Sequence, residues 1–439
     1  MPSPFALALC WPLIQAAPTA RALVDGPMAV PATAANEAPG RAPEPASEAS
    51  AMGDAEATPK LTRFSFKPGR GFELATADGR YALTIRARVQ VRYDLEHPNA
   101  PGRPVEHLIQ VRRARLQLAG NVFGQHNHYY VQFGFSPRDM LRGLPDDSPA
   151  LRYVPVRDAR LEFTYLRDFT IWLGQMKVPF SQQRVISSGN LQLVDRSLAN
   201  EEFNLDRDVG VQVRSEDLAG VGRLKYALGV FLGDGRNAFE LTRTGAMYVG
   251  RLAVLPLGRF DDESEGDLER LKRPGLALAG AYAYHDDAPG DRGVQGARPA
   301  DGGTTDMHHM TADLLFKWRG LSIESAFHLR KARRRNPGGA LDEDGLPIPV
   351  ASPRDGVGWF GQVGYLLPPV DVELVARYSF SRNIYGDRSA MADRDELGGG
   401  GNYYFAGHNL KLQLEYFRVW DEAIADGVDR LRVQVQLAF

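Results

Sequence analysis

Arginine and lysine recur in this sequence at alternate positions of short segments rather than in one cluster. In Tyr81–Tyr93 (YALTIRARVQVRY), Arg86, Arg88 and Arg92 share a face with Thr84 and Gln90. Tyr81, Leu83, Ile85, Ala87, Val89 and Val91 form the other face. In Arg112–Gly120 (RRARLQLAG), Arg113, Arg115 and Gln117 alternate with Ala114, Leu116 and Leu118. A period of two belongs to a strand with one wet and one dry face. Guanidinium groups held along a low-dielectric wall attract anions and repel cations. Their planar donor forks suit phosphate and carboxylate oxygens. Other chemistry finds less support. His308 and His309 are adjacent, and neighbours on a strand point to opposite faces, so they read as a polar pair and not as half of a Ser–His nucleophile system. No Cys, His or carboxylate spacing suits a metal. The glycines of Gly220–Gly229 fall in a strand hairpin, not before a helix, so they build no phosphate cradle. No catalytic residue, cofactor or metal is expected.

The elements that must position these side chains are strands. The chain has 439 residues, with 52 basic and 54 acidic side chains and a net charge of -2. That balance gives no case for nucleic acid. Hydrophobic residues make up 44% and mean hydropathy is -0.31. No run of 18 apolar residues exists, which excludes membrane-spanning helices but not a membrane β-barrel. Phe5–Ala17 has the length of a signal-peptide apolar region, and Ala20-Arg21-Ala22 supplies a small-x-small cleavage site, so residues 1–22 are expected to be a signal peptide. Cys10, the only cysteine, would be lost with it. Residues 23–60, rich in Ala, Pro, Glu and Ser, read as a disordered linker.

From residue 61 to 439 the texture is uniform. About sixteen alternating segments centre near residues 87, 114, 131, 161, 173, 211, 227, 251, 279, 313, 326, 361, 376, 402, 413 and 434. Those around 251, 279 and 402 are poorly patterned. The connections alternate between tight ones (166–169, 217–222, 319–320, 367–370, 406–407) and long ones (94–106, 137–155, 177–207, 233–245, 285–307, 331–354). The expected fold is all-β: a transmembrane antiparallel β-barrel with short periplasmic turns and long outer loops, in a Gram-negative-type outer membrane. A soluble sandwich has no reason to sort its loops so.

With apolar residues placed toward lipid, the inward cations are Arg86, Arg88, Arg92, Arg113, Arg115, Arg160, Arg214, Arg223, Lys225, Arg251, Lys317, Arg330, Arg377, Lys411 and Arg432. The inward carboxylates are Asp158, Glu162, Asp313, Glu324, Glu373 and Glu415. Fifteen cations against six carboxylates favour anions. The acidic surplus is assigned to the linker and to loops such as Asp261–Glu269 and Asp342–Gly345. Tyr93, Tyr165, Trp172, Tyr365, Tyr378, Tyr416 and Trp420 lie near strand ends, where aromatic girdles meet lipid headgroups. Leu397–Phe405 (LGGGGNYYF) marks a thin place in the wall or close packing between subunits.

Three stretches resemble the family of phosphate-selective porins O and P. They are Phe66–Asp94, with its Gly-rich turn, Asp-Gly and following strand; Val111–Gly120 (VRRARLQLAG); and Trp172–Val213, with GQMKVPFS, VDRS and RDVGV. The resemblance implies a sixteen-stranded, trimeric outer-membrane channel for phosphate or related anions. It also implies that the loop after the fifth strand, Lys177–Arg207, folds inward as a constriction. That loop carries Lys177, Arg184, Arg196 and Arg207 against Asp195, Glu201, Glu202, Asp206 and, just beyond it, Asp208. It is less basic than a phosphate-selective constriction calls for. Alternative functions are a general or other-solute porin, or a closed barrel that binds or anchors. The final segment, Arg430–Phe439 (RLRVQVQLAF), reads as the closing strand, with Phe439 as the signal for the barrel-assembly machinery. The expected partners are membrane lipid, that machinery, two further copies of the chain and small anions.

Overall fold

The computed structural model describes residues 61–99, 102–140, 155–237, 245–335 and 340–439, all within one compact unit, Thr58–Phe439. The signal-peptide and linker assignments lie outside the described residues.

Two short strands, β1 (Leu61–Lys67) and β2 (Gly71–Thr76), form a hairpin ahead of the wall. The next eight are β3 (Ala82–Pro98), β4 (Glu106–Asn121), β5 (Asn127–Gly134), β6 (Val156–Phe163), β7 (Thr170–Lys177), β8 (Arg207–Ser215), β9 (Leu224–Phe231) and β10 (Met247–Val254). The remainder are β11 (Gly275–Ala288), β12 (Thr304–Trp318), β13 (Leu321–Arg335), β14 (Gly356–Leu367), β15 (Val372–Arg382), β16 (Arg394–Ala406), β17 (Leu410–Trp420) and β18 (Val428–Ala438). Each of β3–β18 pairs antiparallel with its sequence neighbour, and β18 pairs with β3. The result is a closed barrel of sixteen strands, and all sixteen segment centres fall on them. Closure follows from the membrane: an unpaired backbone edge in hydrocarbon has no water to satisfy it.

Alternation sorts the side chains. On β18, Val435, Leu437 and Phe439 are exposed toward lipid, while Gln434 and Gln436 are 1% exposed inside. Where β18 stops, Phe439 exchanges backbone hydrogen bonds with Ala87, and β2 continues along β3 through Phe72↔Ile85 and Leu74↔Leu83. The hairpin therefore covers the stretch of β3 that β18 leaves unpaired. Tyr165, Tyr365 and Tyr416 are exposed aromatics, as expected of a girdle. Trp172 is a correction: it turns inward, with Arg160 and Arg214 each 4.0 Å from its ring.

Connections at one end are tight, with one exception. The β10–β11 connection, residues 255–274, lies at the short-turn end yet runs twenty residues, and its Ser264, Glu265 and Asp267 are buried. At the other end, residues 178–206 between β7 and β8 carry buried Val178, Phe180, Ile186, Leu191, Leu193, Leu198, Phe203 and Leu205. A connection this apolar is packed within the barrel and is not left in water.

Candidate functional site: an arginine arc facing a buried loop

A buried loop must satisfy its backbone polar groups. Here the barrel wall supplies the partners. Carbonyls of the loop accept from wall side chains: Ser188 from Gln90 (3.3 Å), Gly189 from Gln436 (3.0 Å), Leu191 from Lys411 (2.6 Å) and Gln192 from Gln413 (3.0 Å). Loop N–H groups donate to wall oxygens: Val194 to Glu415 (2.8 Å), Leu198 to Glu396 (2.9 Å) and Ala199 to the Ser379 hydroxyl (3.0 Å). These partners stand on β3 and β15–β18. Glycines of β14 make room: a Cβ on Gly358 would sit 2.6 Å from the Phe203 ring, and one on Gly364 would strike the Gln192 amide. The glycines of Leu397–Phe405 act similarly, since a Cβ on Gly398 would lie 2.7 Å from Phe417, whose ring packs with Val375 and the loop's Leu193.

The roots of the loop are held by apolar contact. Val178, Phe180 and Leu205 cluster with Met176, Phe231, Met247, Val249, Ala281 and Ala283 of β7 and β9–β11. This explains the poor alternation near 251 and 279, where the lumen side is apolar too.

What remains is the arc β3–β8, and it is rich in arginine. Arg88 donates to Ser187 (3.3 Å) and Ser188 (2.9 Å). Arg115 holds Asp139 through two bonds of 2.8 and 3.0 Å, and Arg157 adds a third at 2.8 Å. Arg207 forks onto Asp158 at 3.0 Å twice. Asp195 of the loop receives Arg92, Arg112 and Arg113, the last two at 3.0 Å. Opposite the wall, Arg184 pairs with Asp206, and Arg196 donates to the Gln183 and Ile186 carbonyls at 2.6 and 2.7 Å. Lys177 braces the same turn through the Val185 carbonyl (2.7 Å). Among the described residues, Arg88, Arg92, Arg112, Arg113, Arg115, Arg157, Arg184, Arg196 and Arg207 thus outnumber the carboxylates they pair with, Asp94, Asp139, Asp158, Asp195 and Asp206.

The loop side chains register this crowding. Burial pushes Arg196 down to about 10; Glu265 opposes that shift, and Arg115 and Arg207 add to it. Burial also pushes Arg184 well below the usual arginine range, with Arg196, Arg207, Arg157 and Arg115 adding. Guanidinium does not give up its proton under such pressure. Burial would raise the Asp195 carboxyl, but Arg112, Arg92 and Arg113 outweigh it and hold the group well below the usual carboxylate range.

The fifteen-cation wall needs correction. Eleven of its members have a carboxylate partner. Arg92, Arg113 and Arg115 are among them, as are Arg160 with Glu162, Arg214 with Glu216, Lys225 with Asp262 and Arg251 with Asp313. So are Lys317 with Asp261, Arg330 with Glu202, Arg377 with Glu396 and Arg432 with Glu415. Among the described residues, no carboxylate pairs with Arg86, Arg88, Arg223 or Lys411. Arg223 is exposed and precedes β9, in the turn and not on the wall. Arg86 lies at the short-turn end and bonds the Arg70 carbonyl of the hairpin at 2.9 Å.

Alternation missed several inward side chains. Arg112 and Arg157 turn inward at β-bulges beside Gln90/Val91 and Gln132/Phe133. The signal for the first was Arg112 at a position due an apolar residue. Asp94 and Glu396 are also buried inside. His308 and His309 do face opposite ways: His308 bonds Tyr282 at 2.7 Å, and His309 is 1% exposed beside Phe180.

A closed sixteen-stranded barrel, apolar outside and polar inside, with a loop folded into its lumen, is the architecture of an outer-membrane porin. Residues 83–257 match the family model described as "Phosphate-selective porin O and P", and that stretch contains the whole arginine arc. No curated protein matches the chain. Among solved structures, the fold is similar to an anion-selective porin from Comamonas acidovorans (13% identity, 82% of this chain and 100% of that one, TM-score 0.52). It is also similar to the outer membrane channel DcaP of Acinetobacter baumannii (9% identity, 84% and 100%, TM-score 0.51). A third is the loop L8 deletion mutant of OmpT, an outer membrane protein of Vibrio cholerae (12% identity, 82% and 100%, TM-score 0.50). At these identities the likeness is one of fold. The protein is a channel of the Gram-negative outer membrane.

Proposed function

We propose that this channel is passive and prefers anions, with phosphate or polyphosphate as the leading solutes. The observation that carries this reading is the imbalance on the β3–β8 arc, where among the described residues nine guanidinium groups face five carboxylates across a buried loop. Arg88, Arg115, Arg184, Arg196 and Arg207 concentrate positive charge along one side of the lumen, in surroundings where fixed charge is poorly screened. An anion passing them exchanges water for guanidinium donors and moves between neighbouring sites. Lys177, Arg251, Arg377 and Lys411 serve instead as braces, because their donors are taken by loop or wall oxygens.

The test is the reversal potential of the purified protein in planar bilayers under a potassium chloride gradient. Anion selectivity is expected, with chloride current reduced by added phosphate. Cation selectivity would overturn the reading. A general porin is the second reading, favoured by the eleven paired wall cations; it calls for weak selectivity and no phosphate block. The same proposal takes the assembly to be a homotrimer, inserted by the barrel-assembly machinery through β18 and Phe439. Native mass measurement in detergent tests the trimer.

A further inference from the structure

The β10–β11 connection is an anomaly among turns at its end of the barrel. Its residues reach the buried loop from beneath. Gln182 of the loop donates to the Asp262 carbonyl (2.7 Å) and Asn190 to the Glu263 carbonyl (3.1 Å). The Glu265 N–H donates to the Asn190 carbonyl (3.2 Å), and its carboxylate accepts from the Gln192 N–H (2.7 Å) and the Gln362 amide (3.1 Å). The wall fixes the segment on the same side. Lys225 bonds Asp262 at 2.8 Å, Lys317 bonds the Asp261 carbonyl and the Ser264 hydroxyl at 2.8 Å, and Asp267 accepts from the Gly320 N–H at 2.7 Å.

We infer that residues 255–274 form a strap that enters the lumen from the periplasmic end and meets the constriction loop there. Loop and strap together fill the β9–β17 side of the lumen, so permeating ions are confined to the arginine arc. Three features support this. The anchors of the strap, Lys225, Lys317, Gln362 and the Gly320 N–H, stand on or beside β9, β12, β13 and β14, and none belongs to β3–β8. Its carboxylates neutralise the wall cations of that side, Lys225 and Lys317, leaving the excess of positive charge on the arc. Long irregular segments inside a compact fold are uncommon without a role, and this one is buried at Ser264–Asp267 by contacts that a two-residue turn could not make. The inference rests on the arc being the path for anions, so the two must fail separately.

The experiment compares the full-length protein with a variant in which residues 260–269 are replaced by a short Gly-Asn turn, in the same bilayers. Removing the strap opens a second path on a side where Arg251, Arg330 and Arg377 are each held by a carboxylate, so single-channel conductance should rise by a factor of about two and the anion-to-cation permeability ratio should fall. Glu265→Ala keeps the chain length and removes the acceptor beneath Gln192; it should raise conductance by less and add current noise. Unchanged conductance and noise in Glu265→Ala overturn the strap even if the shortened variant does not insert. A higher conductance with undiminished anion preference also overturns it, because the new path would then not bypass the arc. A wild-type channel without anion preference, by contrast, overturns the anion reading alone and leaves the conductance comparison to judge the strap.

Discussion

Arg88 on β3 and Lys411 on β17 are both inward cations with no carboxylate partner among the described residues, yet they meet different neighbours. Arg88 bonds only the hydroxyls of Ser187 and Ser188 and sits within a row of other arginines. Lys411 is fully buried and spends its charge on the Leu191 carbonyl. The difference extends to the two walls. On β13–β17, the carboxylates Glu373, Glu396 and Glu415 accept from loop groups, and Arg377 and Arg432 in turn hold Glu396 and Glu415. On β3–β8, carboxylates are outnumbered and cations are left to face the lumen. Both walls hold the loop, but the first does so with its charges balanced, and the second is left with an excess of cations. Counting charges by alternation cannot separate these uses, because both come from the same inward positions.

The largest test of that contrast is a pair of variants. Arg88→Gln should lower the anion-to-cation permeability ratio several-fold with little change in stability. Lys411→Gln should leave the ratio nearly unchanged, although both remove one positive charge. It should instead loosen the loop and raise current noise. Reversal potentials measured side by side decide it; equal losses of selectivity would erase the distinction between the walls.

A smaller effect is expected from the balanced wall itself. Glu415→Ala strips the acceptor from the Val194 N–H and leaves Arg432 with Asp94 alone. Breaking a buried ion pair from one side costs about 3 kcal/mol. The loss should appear as a lower unfolding temperature and faster proteolysis within residues 187–199, with the permeability ratio preserved.

What the sequence revealed follows from this division of labour. Strands were legible wherever one face met lipid and the other water, as in β3, β4, β17 and β18. They blurred where the loop replaced water: Met247, Val249, Ala281 and Ala283 are apolar inside, while Tyr248, Leu252, Leu278 and Tyr282 are apolar outside. The constriction loop was legible through its family likeness, but its charges were not, since Asp195 gathers three arginines that lie some 80 to 100 residues earlier in the chain. The acidic run Asp261–Glu269 reads correctly as a loop, and its role does not show in the sequence. Nothing in its spacing says that it turns into the lumen, because that depends on where Lys225, Lys317 and Gln192 stand in three dimensions.

Asp195 gives a finer test. It is a counter-charge for Arg92, Arg112 and Arg113, and Asp195→Asn would leave Arg92 with Asp94 alone and the other two guanidiniums short of negative charge. Phosphate should then block chloride current at a several-fold lower concentration. The sign with pH is set by the depressed Asp195 carboxyl: its stabilising contribution is present above the ordinary carboxylate value and is lost only as pH falls through the lowered one. Loop closure, read as current noise, should therefore hold at about pH 4, where an ordinary Asp is half protonated. Noise rising already at pH 5 would mean that Asp195 does not hold the loop.

The smallest effect on the open channel should come from Phe439→Ala. The Phe439 backbone pairs with Ala87 whatever its side chain, so the seam between β18 and β3 survives the change. The ring is exposed on the lipid face beside the hairpin, where the tilted rings of Phe66 and Phe72 pack with centroids 4.7 Å apart. It touches neither the arginine arc nor the loop. Conductance and selectivity of each inserted channel should thus match the wild type, while the amount recovered from outer membranes falls. A variant that inserts normally but conducts differently would tie the seam to the pore, against the proposed division between permeation along β3–β8 and assembly through β18.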